Sequence, residues 1–142
     1  MRYRVGWAVP GRVLALTHFE PIVTEPDFAA IMADTSAALA TVGGPFHLLI
    51  DNRLIADQTI TSLDMILHAL PQLERSPLRW IAVVLPDAIK HAAAALPPQR
   101  RGEIRLKHVA SLAAAFEQLA SVDVGLNPGQ VDQAFFEPAP AE

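Results

Sequence analysis

Residues 46–70 run FHLLIDNRLIADQTITSLDMILHAL, from Phe46 to Leu70. Phe46, Leu48, Leu49 and Ile50 form a short apolar run that stops abruptly at Asp51-Asn52-Arg53. A run of this kind, bounded by polar residues, suits a central strand buried on both faces. Past a polar loop, Thr61 or Ser62 can cap a helix whose Leu63, Ile66, Leu67 and Leu70 recur at helical spacing. In α/β sheets, sites gather where loops leave the carboxyl ends of strands. Any chemistry in this chain is therefore expected between Asp51 and Asp64.

The elements on either side follow the same logic. Tyr3–Ala8 and Arg12–Phe19 alternate apolar and polar side chains and are joined at Val9-Pro10-Gly11, which predicts a hairpin. Thr24-Glu25-Pro26-Asp27 opens a helix, with Thr24 as cap, Pro26 in the first turn and Asp27 completing an approximate capping box. Phe28, Ile31, Met32, Thr35, Leu39 and Val42 mark its inner face, and Gly43-Gly44-Pro45 ends it. Leu78–Leu85 is a second interior strand. Pro86-Asp87 leads into an alanine-rich helix over 88–96, stopped by Pro97-Pro98. Gln99–Gly102 reads as a polar loop, Glu103–His108 as a strand with one wet face, and Ser111 as the cap of a closing helix.

The expected fold is α/β: one domain over residues 1–124, a mixed sheet of about five strands with four helices, in the order β-β-α-β-α-β-α-β-α. Residues 125–142, rich in proline and polar side chains, are expected to form a flexible tail. Within it, Phe135-Phe136 either docks on a partner or packs back on the domain.

Composition narrows the function classes. The 142 residues carry a net charge of −4, which argues against a protein that coats nucleic acid. Arg75, Arg79, Lys90, Arg100, Arg101, Arg105 and Lys107 crowd the later half, either as a solvated rim or as a face for an anionic partner. There is no cysteine, so disulfides, thiolate nucleophiles and Cys-based metal sites are excluded. The first residues lack the apolar core of a secretory signal, and no stretch reaches the ~20 apolar residues that span a bilayer. The expected location is the cytoplasm.

No cofactor signature is present. Gly43-Gly44 follows a helix and precedes a strand, the reverse of a phosphate-binding loop. The five histidines do not pair at ligand spacing, so no metal site can be read from them. Asp51, Asp57 and Asp64 are the candidate carboxylates. Asp51 and Asp64 can be imagined as paired acids, but a helix-dipole role for Asp64 and loop N–H bonds to Asp51 or Asp57 account for them without catalysis. No catalytic residue is assigned.

The element order, the strand ending in acid (Leu48-Leu49-Ile50-Asp51) and the closing RLKHVASLAAAFEQLA resemble the STAS domain, the anti-sigma factor antagonist fold, and within it the divergent SpoIIAA-like group. The resemblance covers roughly residues 3–122. In switch members of that family, Asp-Ser-Ser-Gly stands at the start of the second helix and a serine there is phosphorylated by a partner kinase. The matching positions here are Thr59-Ile60-Thr61-Ser62, with Thr59 in place of the acid and Ser62 in place of the glycine. Thr61 falls where the phosphorylated serine would be.

The resemblance implies a non-enzymatic bacterial regulatory module. It would present Asp51, Asp57, Thr59, Thr61 and Ser62 to a protein partner such as a kinase or an anti-sigma factor. Members of the SpoIIAA-like group also resemble Sec14-type modules in ligand behaviour. That gives the alternative, a lipid or other small apolar ligand held under the helices near Phe28, Met32 and Leu63. An exposed strand, Tyr3–Ala8 or Glu103–His108, can also pair with a second copy to form a homodimer.

Overall fold

The computed structural model describes residues 1–138. A six-stranded mixed sheet is its centre, with spatial order β1-β2-β3-β4-β6-β5. β1 (Tyr3–Val9) and β2 (Val13–His18) form the expected antiparallel hairpin, turned at Gly11, whose φ of 70° lies in the left-handed region that glycine adopts without strain. β2, β3 (Phe46–Asp51), β4 (Leu78–Val84) and β6 (Ile104–Val109) then run parallel to one another. β5 (Gln99–Arg101) closes the far edge antiparallel to β6.

The apolar run of residues 46–50 behaves as its pattern requires, since every residue of β3 is buried. Its alternation divides the molecule into two layers. Phe46, Leu48 and Ile50 face α1 (Glu25–Leu39) and α2 (Leu63–Ala69), while Leu49 faces α3 (Leu112–Val122) and the C-terminal segment. Trp7, on the edge strand, faces α1 and meets Phe46 edge to face, with ring centroids 6.0 Å apart. α1 starts as its sequence predicts. Asp27 N–H donates to Thr24 Oγ1, and the Asp27 carboxylate accepts from Thr24 N–H, a closed capping box.

Several expectations are corrected. The sheet has six strands rather than five, because Gln99–Arg101 is a strand and not a loop. Its three polar residues carry no alternation to announce it, and it is held by pairing with Ile104–Leu106 across the turn at Gly102. Residues 103–108 are consequently interior, so they are not an edge open to a second copy. The alanine-rich segment Asp87–Ala95 is helical as expected, but it is 3-10 helix broken at Ile89, beside three α-helices among the described residues. Prolines at 86 and 97 leave it too short to gain from α-helical cooperativity. Lys107 Nζ donates to the carbonyls of Ala93 and Leu96 at its end.

The segment expected to be a flexible tail is packed as far as it is described. Leu126, Val131, Phe135 and Phe136 are buried in the α3-side core, Phe136 edge to face with Phe116. The physical cause is space: β1 offers Gly6 there, and the Phe135 ring fills the place of the missing side chain. Residues 139–142, the end of the expected tail, lie outside the described residues.

Candidate functional site

The residues singled out between Asp51 and Asp64 do not form one cluster. The strand sends them to opposite faces. Asp51, with its side chain fully buried, points to the α3 side, where Thr17 Oγ1 donates to it at 2.7 Å and Arg53 N–H at 3.1 Å. The Arg53 guanidinium lies 3.2 Å from the same carboxylate and donates to the Phe136 carbonyl. Asp51 thus anchors the loop and the C-terminal segment. Asp64 is on the opposite side of the sheet, exposed and paired with Arg101, so the two acids are not a catalytic pair.

The loop 52–61 is pinned along its length. Ala56 N–H donates to the Pro21 carbonyl, Asp87 N–H to the Arg53 carbonyl, and Asn52 Nδ2 to Thr61 Oγ1. His108, buried in β6, donates from Nε2 to the Thr61 carbonyl at 2.7 Å. Asp57 accepts from both the N–H and the hydroxyl of Thr59. These two bonds hold its carboxyl below the ordinary carboxylate range. The start of α2 is already capped, because Ser62 Oγ accepts from Met65 N–H and Gln99 Oε1 accepts from Leu63 N–H. Gln99, reaching in from the edge strand, carries no sequence signal of this role.

Opposite Asp51, on the α1/α2 face, the sheet and the two helices leave an open cleft of about 560 Å³. Leu16, Leu48 and Ile50 form its floor, Ile31 and Met32 the α1 wall, and Ile66 and Ala69 the α2 wall. Asn52, Asp57, Thr59 and Thr61 close one end, and Phe28 and Met65, each about half exposed, stand in its lining. Of the three residues named for an apolar ligand, Phe28 and Met32 line this cleft; Leu63 does not, because it opens α2 beside β5 and is buried in the core, and Met65 and Ile66 line the α2 side. His18, a residue sequence reasoning did not select, also lines the cleft. It follows Leu14 and Leu16 on the same face of β2 and is buried.

A second concavity, at the amino ends of the strands, contains His47, Asp123, Arg12 and Arg79. His47 Nε2 donates to Asp123 at 3.0 Å, and Arg12 donates to both oxygens of the same carboxylate. Burial lowers the His47 pKa from the ordinary 6.5 despite the carboxylate. This cluster ties the starts of β2 and β3 to the end of α3. The basic residues of the later half are dispersed: Arg101 bridges Glu74 and Asp64, and Arg105 lies over the Trp80 ring. No group of three metal-ligating side chains converges among the described residues. None of the helices among them is long and apolar enough to cross a membrane.

No protein-family model, curated protein or solved structure matches this chain.

Proposed function

We propose that this chain is a non-enzymatic binding module of the STAS/SpoIIAA-like kind, acting in the cytoplasm, that holds a small apolar molecule in the cleft between α1 and α2. Its second role is to present the loop and helix start from Asp57 to Asp64, whose Asp57, Thr59 and Thr61 help close the cleft's end, to a protein partner. The observation that carries the reading is the cleft itself: about 560 Å³, floored by leucine and isoleucine, with Phe28 and Met65 left half exposed in its lining. Pockets of a few hundred Å3, mostly apolar with a few convergent polar groups, are the usual form of small-molecule sites. Exposed large apolar side chains gathered around a concavity mark surfaces that are covered in use.

Phosphorylation of Thr61 or Ser62 is the weaker form of the regulatory reading. Both hydroxyls already have work in the fold, Thr61 with Asn52 and Ser62 as the α2 cap. An occupant of the cleft would instead touch the end wall directly, so a partner at 57–64 would sense whether the cleft is filled.

Native mass spectrometry of detergent-free protein tests the proposal, alongside a variant with Ala69→Trp on the cleft wall. Wild-type protein is expected to carry apolar material, or to gain melting temperature when given a lipid extract, and the variant to do neither while remaining folded. Clean wild-type protein whose melting temperature ignores the extract would overturn it.

A further inference from the structure

The chemistry of the cleft restricts what it can hold. His18 is 7% exposed and lines the cleft at the end of β2. Its only electrostatic influences are the more distant carboxylates Asp51 and Asp27, and no hydrogen bond to its ring is formed by the described residues. Leu16 and Ile50 line the same cleft and offer nothing polar; the cleft's other polar lining is Thr35, Asn52, Asp57, Thr59, Thr61 and His68. The His18 ring nitrogens are not sealed in the core but open to the cleft, so they are free to bond a polar atom of an occupant. The charges around it are equally informative. Among the described lining residues none is lysine or arginine, and Asp57 is the one carboxylate. A carboxylate or phosphate head would meet no fixed cation and would face Asp57.

We infer that the ligand is an uncharged, mostly hydrocarbon molecule with a single hydrogen-bonding head, an alcohol or ketone, which binds the His18 ring while its chain lies along Leu48, Met32 and Ile66. Burial lowers the His18 pKa, so at neutral pH the ring offers one N–H donor and one acceptor nitrogen. An alcohol can use either nitrogen, and a ketone the N–H. This inference rests on the cleft being a ligand site and adds the class of head group that it selects.

Competition against Nile red, an uncharged apolar dye, separates the two claims. At about pH 8, where histidine is neutral, dodecanol is expected to displace the dye from wild-type protein at roughly tenfold lower concentration than dodecanoate or dodecyl phosphate, about the effect of one hydrogen bond. His18→Leu is expected to abolish that preference while still taking up the dye, and His18→Gln, which keeps a donor and an acceptor, to retain much of it. The His18 ring nitrogens are expected to shift in NMR spectra of wild-type protein on saturation with dodecanol, a readout that does not depend on any variant folding. Equal or tighter binding of dodecanoate or dodecyl phosphate would overturn the head-group class and leave the cleft reading standing. An alcohol preference that survives in His18→Leu, or unmoved ring nitrogens, would overturn the role of His18. Absence of dye uptake by wild-type protein would overturn the cleft reading, and this inference with it.

Discussion

Asp51 shows how one side chain can be placed correctly in the chain and wrongly in space. Its position at a strand end, before the key loop, is plain from the sequence. The face it takes is not, because that depends on strand register against β2 and β4. Thr17 and Arg53 surround the carboxylate, and Asp51→Ala would leave the Thr17 hydroxyl and a partly buried guanidinium without it. The expected loss is about 2–3 kcal/mol, less than for a fully enclosed ion pair because Arg53 reaches solvent. Urea unfolding of the variant measures it. The buried histidines make a second prediction at this scale. Burial lowers the pKa of His18, His47 and His108 below the unfolded value of 6.5. Between the folded and unfolded values the unfolded chain binds more protons, so stability rises with pH there. It is full above about pH 6.5 and is lost as pH falls below that value. Urea midpoints are therefore expected to drop between about pH 7 and about pH 5, well before the carboxylates titrate.

Among the elements, α2 is the one whose start was read in two ways. Ser62 caps it by accepting from Met65 N–H, and Gln99 takes Leu63 N–H as well. Ser62→Ala is expected to cost about 1 kcal/mol, and Ser62→Asp, which can cap equally well, almost nothing. Thermal unfolding of both variants checks this. A phosphorylation switch would predict that the aspartate changes partner binding, whereas a cap alone predicts that it does not. β5 shows the opposite limit of legibility. Gln-Arg-Arg has neither alternation nor apolar content, and it is a strand because β6 presents an unpaired edge beside it. The 3-10 segment Asp87–Ala95 is a similar case: alanine content suggests an α-helix, but the flanking prolines and the break at Ile89 decide the geometry.

The whole molecule is two apolar layers on one sheet, and the C-terminal segment completes the α3-side layer. Removing residues 125–142 would uncover apolar surface around Val13, Leu49 and Phe116, all buried now. At roughly 25 cal/mol per Å² of apolar area, the loss of buried surface by four large side chains is enough to remove much of the stability of a domain of this size. The truncated chain is expected to unfold at lower urea concentration and to aggregate, as light scattering would show. An unchanged midpoint would mean that the segment is dispensable. The sequence by itself determined the parallel strands β3 and β4, the hairpin, the α1 capping box and the α/β class, because each rests on local periodicity or on turn and cap chemistry within a few residues. Only the tertiary structure decided that Asp51 turns from the cleft, that His18 turns into it, that Gln99 caps a distant helix and that Phe135 fills the space left by Gly6. Those placements depend on register and on packing between segments far apart in the chain, and neither leaves a trace in local pattern.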